Sequence, residues 1–121
     1  MNSKIIKKRT QDSALRVVKL CEHLFETKKE VNKIIGRQLL RSGTSVGANY
    51  RAACRAKSTA DFINKLKIVE EEADETMYWL ELLEMAEIVS ESQVFDLKQE
   101  FDEILAIVVS TTISSRKKLD K

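Results

Sequence analysis

The stretch "SGTSVGANYR", residues 42–51, decides between two kinds of fold. It holds two glycines, an asparagine and three small hydroxyl residues, a composition typical of loops that bind phosphate or join helices. A loop here would suggest an active site, whereas a helix would make the same residues a packing surface. The spacing of the neighbouring residues distinguishes the two.

Small and apolar residues recur through this stretch at helical spacing. Steps of four and three residues join Gly36, Leu40, Gly43, Gly47, Tyr50 and Cys54 in one stripe. A mid-helix glycine costs ~1 kcal/mol relative to alanine, and it permits close approach of another backbone. We therefore predict a helix-packing seam, against a neighbouring helix or another subunit, that consists of Gly36, Gly43, Gly47 and Tyr50. A phosphate loop would need glycines ahead of a helix N-terminus, usually after a strand, and that context is missing.

Capping signals divide the chain into four helices. Thr27–Glu30 and Ser90–Gln93 have the spacing of a capping box, and Ser58–Asp61 is a looser version. Thr10 or Asp12 would cap the first helix. The predicted helices span residues 12–26, 28–55, 59–88 and 91–116. Their short connections favour antiparallel neighbours.

The composition and the apolar pattern agree with a helical bundle. The chain has no proline, three glycines and 33% charged residues. It is therefore poor in the turn residues that connect the strands of a sheet. Two apolar stripes run along the later helices: Phe62, Leu66, Val69, Ala73, Thr76, Leu80 and Leu83, then Val94, Leu97, Phe101, Ile104, Val108 and Thr111. We predict an all-α, antiparallel up-down four-helix bundle. It is a single domain over residues 1–121, with residues 1–10 as a flexible basic arm.

Positive charge is concentrated in the first half of the chain. Residues 1–67 carry 16 Lys and Arg against 5 Asp and Glu, whereas residues 68–110 carry 1 against 13. On the second helix, one face holds a basic ridge of Lys33, Arg37, Arg41, Arg51 and Arg55, which Lys57 and the tail 116–118 extend. Such a ridge suits RNA or DNA binding through phosphates. The alternatives are a solvated helix face and a protein-interaction scaffold, in which the ridge pairs with the acidic face of a neighbouring subunit.

The third helix has a second apolar strip outside its core stripe. We take Tyr78, Leu82, Met85 and Val89 as candidates for an oligomer interface, because a monomer would expose them among carboxylates. The alternative is that the N-terminal segment folds over this strip.

Enzyme chemistry has little support in the sequence. The two cysteines lack metal-ligand spacing, and His23 has no Glu three residues before it, which excludes a ferritin-like di-iron site. Carboxylate pairs three residues apart leave a Mg²⁺-dependent nucleotide pyrophosphohydrolase as a remote alternative. We expect no enzyme activity, no metal and no cofactor. The basic N-terminus has no apolar run behind it, so we expect a cytoplasmic protein without a membrane anchor.

Several motifs together resemble a known family. They are "RSGTSVGANYR" at residues 41–51, "DFI" at 61–63 with Lys65 and Leu66, "EADET" at 72–76 and "YWLEL" at 78–82. The chain resembles the four-helix-bundle proteins encoded in intervening sequences of bacterial 23S ribosomal RNA genes. The likeness covers the second and third helices strongly and extends more loosely to nearly the whole chain.

The resemblance implies an antiparallel four-helix bundle that assembles into a homopentamer, with no catalytic activity assigned. The accessory protein of diversity-generating retroelements, a basic pentameric barrel, is similar in fold and suggests nucleic-acid binding by analogy. One position departs from the pattern: many relatives carry Glu after the Tyr-Arg pair, where this chain has Ala52. A role carried by that carboxylate would be absent here.

Overall fold

The computed structural model describes residues 2–120, and four helices contain nearly all of them. They are α1 (Ser3–Phe25), α2 (Glu30–Ala53), α3 (Thr59–Met85) and α4 (Glu91–Leu119). Each helix packs against its sequence neighbours, and α4 meets α1 through a much smaller contact. No strand occurs in residues 2–120. The predicted all-α, up-down four-helix bundle is confirmed.

Side-chain caps fix the starts of three helices. At α4, Ser90 Oγ accepts from the Gln93 N–H at 3.3 Å and Gln93 Oε1 accepts from the Ser90 N–H at 2.7 Å, which is the predicted capping box. At α3, Ser58 Oγ accepts from the Asp61 N–H at 3.1 Å, also as predicted. At α1, Asn2 Oδ1 accepts from the Ile5 N–H at 3.0 Å. These bonds satisfy N–H groups that have no partner inside the helix.

The start of α1 corrects the sequence prediction. Because Asn2 caps the helix, α1 begins nine residues before the predicted start, and neither Thr10 nor Asp12 is a cap. Ile6 is 1% exposed and Thr10 is fully buried. Residues 3–10 are therefore a packed part of the bundle, and the predicted flexible arm is wrong for them; Met1 lies outside the described residues.

Apart from the matching starts of α3 and α4, the other helix ends differ from prediction by one to three residues, and the start of α2 and the end of α3 have clear causes. Thr27 does not cap α2, which begins at Glu30 after Lys29; its hydroxyl donates instead to the Leu24 carbonyl at 3.3 Å. Helix α3 ends at Met85, because Glu87 adopts a left-handed conformation with φ of 59°. The Ile88 N–H then bonds back to the Leu83 carbonyl at 3.0 Å, a Schellman-type ending.

The core is formed by one stripe from each helix. The buried positions of α3 and α4 match the prediction, except that Ile63 replaces Phe62, Thr112 replaces Thr111 and Ser115 extends the stripe of α4. The stripe of α1 consists of Ile6, Thr10, Ser13, Val17, Cys21 and Leu24. Within residues 2–120, no helix has both the length and the apolar character needed to cross a bilayer.

The glycines of α2 lie directly against α1. A Cβ atom on Gly43 would stand 2.8 Å from both methyl groups of Val17, and one on Gly36 would stand 2.8 Å from Phe25 Cε1. At Gly47 the space is less tight, with Thr10 Oγ1 3.3 Å away. The two backbones are thus closer than side chains at these positions would permit. We call this contact the glycine seam.

Replacement of Gly43 tests the glycine seam. We expect Gly43→Ala to lower the free energy of unfolding by roughly 1–2 kcal/mol, because overpacking against Val17 outweighs alanine's helix propensity of about 1 kcal/mol. In a Val17→Ala background the clashing methyl groups are gone, so the same change becomes close to neutral. Urea denaturation of the four proteins of this cycle measures the coupling. An equal loss in both backgrounds would show that Gly43 does not serve the contact with Val17.

The Cys21 thiol makes stability sensitive to alkaline pH. Burial raises the pKa of Cys21 from 9.0 to about 11, while its thiol donates to the Gly36 carbonyl at 3.3 Å. The folded state therefore keeps a proton that the unfolded chain loses first. This contribution is complete below pH 9 and falls as the pH rises toward 11, by up to about 1.4 kcal/mol per pH unit. Urea unfolding under reducing conditions at pH 8 and 10.5 should show a steeper loss for wild type than for Cys21→Ala. Parallel losses in the two proteins would refute this assignment.

Candidate nucleic-acid interface

Arg41, at the centre of the predicted basic ridge, is held by α3. Its Nη1 lies 3.3 Å from Glu72 Oε2, and its Nη2 pairs with Glu75 Oε2. The same Glu75 oxygen accepts from Trp79 Nε1 at 3.0 Å. Two carboxylates thus compensate one guanidinium, so Arg41 joins α2 to α3 and divides the ridge into two parts.

The N-terminal part of the ridge is only weakly basic. Arg37 lies 3.6 Å from Glu30 in an exposed ion pair, and Lys33 is partly buried. Exposed pairs of this kind contribute little to stability, but they reduce the local positive potential. This half of the ridge therefore offers a smaller attraction to phosphate than the sequence pattern indicated.

The C-terminal part of the ridge joins α1 in a basic groove. Arg51 and Arg55 line a depression of about 340 Å³ with three lysines and an amide from α1, namely Lys4, Lys7, Lys8 and Gln11. All five cations are exposed. We call these five cations and their depression the basic groove. Because α1 and α2 are antiparallel, the first turns of one lie beside the last turns of the other.

Most cations of the basic groove have no counter-charge within residues 2–120. Lys8 lies 3.3 Å from Asp12 in a largely exposed pair. No described carboxylate pairs with Lys4, Lys7, Arg51 or Arg55. A neighbouring depression of about 230 Å³ continues along the glycine seam between Lys7 and Arg51, past Thr44 and Gly47. The surface is thus a strip of positive charge, with small residues beside it.

The lysines of α1 are the site residues that sequence reasoning missed. Lys4, Lys7 and Lys8 follow helical spacing, which places them on one face once α1 begins at Ser3. The sequence did contain a signal for this face, because the lysines alternate with Ile6 and Thr10, which are buried. Interpreting residues 1–10 as a free arm removed these lysines from any defined surface.

Lys57 and the basic tail lie at one end of the bundle. Lys57 is in the connection between α2 and α3, and its N–H donates to Asp61 Oδ2 at 3.1 Å. Arg116, Lys117 and Lys118 form the last turn of α4. Lys57 and Lys118 line the same pocket at this end, so these two cations are close to each other but apart from Arg41.

The apolar strip of α3 is shorter than predicted. Tyr78 is 56% exposed and Met85 is 79% exposed, while Leu82 is partly buried. Val89 is 4% exposed and belongs to the core, because the turn at Glu87 directs the chain inward. Val89 is therefore removed from the interface candidates. Tyr78 packs edge-to-face on Trp79, with ring centroids 5.0 Å apart.

Several carboxylates of the predicted metal-type pairs are engaged in contacts between helices. Glu72 and Glu75 bind Arg41, Glu84 accepts from Lys98 at 2.8 Å, and Glu100 binds Arg9. Over residues 2–120, no group of three His, Cys, Asp or Glu side chains is arranged to hold a metal ion. Glu72, Glu75, Glu84 and Glu100 therefore take part in contacts between helices.

Comparison with known proteins agrees with this architecture. Residues 2–110 match the family model described as 23S rRNA-intervening sequence protein. A crystal structure of a protein of unknown function from the S23 ribosomal protein family of Bacteroides thetaiotaomicron is similar, with a TM-score of 0.83 and 42% sequence identity. The alignment covers 88% of this chain and 97% of that one. None of the curated proteins matches. No catalytic activity is indicated for these relatives.

Proposed function

Since the chain belongs to the family of 23S rRNA-intervening sequence proteins, we propose that it is a non-enzymatic cytoplasmic protein that binds RNA or DNA through the basic groove. The observation that carries this proposal is the uncompensated charge of Lys4, Lys7, Arg51 and Arg55, which two helices bring to one depression. Arg41 is not part of this surface, because Glu72 and Glu75 already neutralise it.

The chemistry of the basic groove suits phosphate groups. Lysine and arginine neutralise backbone phosphates, and the release of counterions makes such binding strongly dependent on salt. The described residues that line the groove are lysines, arginines and one glutamine, with no aromatic ring for base stacking. The contacts are therefore to the phosphate backbone, and binding is largely independent of sequence.

The rest of the molecule favours approach to this side. The acidic residues are concentrated in α3 and α4, whereas α1 and α2 each carry more Lys and Arg than Asp and Glu. An anionic strand is attracted to one edge of the bundle and repelled from the other, which raises the rate of productive encounter.

The second candidate function is a homo-oligomeric scaffold, and the strip of exposed Tyr78 and Met85 with partly buried Leu82 favours it. Apolar side chains that stand among carboxylates suit a contact with another copy of the chain. Self-association through this strip is compatible with nucleic-acid binding, since the strip lies on α3 and the groove on α1 and α2. The resemblance to the family suggests a pentamer.

Charge reversal in the basic groove tests nucleic-acid binding. We expect Arg51→Glu/Arg55→Glu to weaken binding of a single-stranded RNA by at least roughly tenfold, because two phosphate contacts are replaced by repulsion. The slope of log affinity against log salt should become shallower by about 1.4, because each of the two lost phosphate contacts on a single strand contributes about 0.7 to the slope. Fluorescence anisotropy across a salt series measures both quantities.

Lys28→Glu/Lys29→Glu is the matched control for this experiment. It changes the net charge equally, and it lies in the connection at the opposite end of α2. Its affinity should stay close to that of the wild type. Equal weakening by the two variants would mean that net charge alone attracts the RNA, and the basic groove would lose its role.

A charge placed in the apolar strip tests self-association. We expect the wild type to be an oligomer by light scattering and Met85→Glu to reduce its mass, because the interface would have to bury an unpaired carboxylate. Phe95→Glu is the control, since Phe95 is a similarly exposed apolar residue on α4. A monomeric wild type, or an oligomer unaffected by Met85→Glu, would contradict this interface. Dissociation by Arg51→Glu/Arg55→Glu would instead assign the groove to subunit assembly.

A further inference from the structure

A second pocket lies at the end of the bundle where α1 and α3 begin and α2 and α4 end. Its volume is about 430 Å³. The Tyr50 and Ser115 side chains form its buried part, Phe62 forms a partly buried wall, and Lys57 and Lys118 are exposed at its edge. We call it the end pocket.

Ser115 has a hydroxyl that makes no hydrogen bond within residues 2–120 and lines the end pocket. The residue is 8% exposed. Thr111 and Thr112, one turn earlier, donate to the carbonyls of Ile107 and Val108 at 2.8 and 3.0 Å. The Ser115 hydroxyl is therefore free to donate a hydrogen bond to a ligand in the pocket.

Tyr50 supplies a second hydroxyl to the pocket. It is 7% exposed, and its hydroxyl contacts the Cys54 thiol. Burial, and then the neighbouring thiol, raise the pKa of Tyr50 to about 12. The phenol therefore keeps its proton at neutral pH and remains a hydrogen-bond donor.

The surroundings of these hydroxyls favour an anion. Ser3 and Thr59, the first residues of α1 and α3, line the pocket, and the N–H groups at helix starts attract negative charge. Lys57 and Lys118 form no ion pair with a described carboxylate.

Asp61 is the acidic residue in the first turn of α3, and it is not among the residues that line the pocket. Its carboxylate accepts from Lys65 Nζ at 2.6 Å and from the Lys57 N–H. The hydrogen bond from Lys65, followed by that from the Lys57 N–H, lowers the pKa of Asp61. The negative charge of Asp61 is thus compensated by Lys65 and the Lys57 N–H.

The end pocket and the basic groove are adjacent in the chain. Ser3 of the pocket precedes Lys4 of the groove, and Cys54 of the pocket precedes Arg55 of the groove. The two depressions therefore lie near each other at this end of the bundle, within reach of one strand.

We infer that the end pocket binds a phosphate monoester, namely the terminal phosphate of the nucleic-acid strand that lies in the basic groove. This inference rests on the proposed function. A terminal phosphate carries more charge than a backbone phosphate and has three acceptor oxygens. Ser115 and Tyr50 donate to these oxygens, Lys57 and Lys118 balance the charge, and Phe62 contacts the terminal base.

Oligonucleotides with different ends test the inference. Three single-stranded RNAs of one sequence carry a 5′-phosphate, a 3′-phosphate or only hydroxyl ends, and their affinities are compared by fluorescence anisotropy. We expect wild type to prefer one phosphorylated end by roughly tenfold, as hydrogen bonds to a charged group predict. Ser115→Ala and Tyr50→Phe should remove this preference and leave the affinity for the hydroxyl-ended RNA unchanged. Ser114→Ala, an exposed neighbour on α4, should behave as wild type.

Adenosine monophosphate alone, titrated by calorimetry, separates the inference from the proposed function. If all three RNAs bind equally well, the basic groove stands and the terminal-phosphate site is overturned. If no RNA binds but the mononucleotide binds in a way that depends on Ser115, the proposed function fails and the phosphate-monoester pocket stands. If neither RNA nor mononucleotide binds, both are overturned.

Discussion

The close approach of α1 to α2 is the contact on which the rest of the arrangement depends. Gly43 leaves space for the methyl groups of Val17, and Gly36 leaves space for the ring of Phe25. The other neighbouring pairs of helices are linked by long charged side chains: Arg41 to α3, Lys98 from α4 to α3, and Arg9 from α1 to α4. Long side chains tolerate small shifts, whereas a glycine packed directly against a side chain of the neighbouring helix fixes the distance between helices. The glycine seam therefore sets the position of α1, and with it the surface that α1 and α2 share.

Much of the fold was predictable from local pattern, and the failures have a common cause. The stripes of α3 and α4 consist mainly of apolar residues, so their periodicity is clear. The stripe of α1 includes the buried polar residues Thr10, which lies against Gly47, and Ser13, and these residues hide the helical period in the sequence. Asn2 was likewise hard to recognise as a cap, because the apolar residues that follow it are interrupted by lysines. Helix ends depend on one turn of chain, and Val89 shows that a single left-handed residue can move a side chain from the surface to the core.

The candidate site was less predictable than the fold, because a helical wheel gives the direction of a side chain and not its partner. The wheel placed Arg41 and Arg51 on one face of α2. In the folded chain Arg41 reaches two carboxylates of α3, while Arg51 lies beside the lysines of α1. The difference depends on which helix packs on each side of α2 and on the register of that helix relative to α2. The sequence pattern of one helix contains neither the neighbour nor the register. The early start of α1 is also needed to bring Lys4, Lys7 and Lys8 beside Arg51.

The small contact between α1 and α4 gives α1 one main neighbour. Arg9 binds Glu100 and lies 3.5 Å from Glu103, but most of the packing of α1 is against α2. The same holds for α4, whose main neighbour is α3, so local opening of the bundle is easiest at these two outer helices. A polyanion that contacts both α1 and α2 binds only while the two helices stay together. The binding free energy of the polyanion therefore stabilises the packed pair of helices. Binding to this surface and the packing of α1 in the bundle are thermodynamically linked.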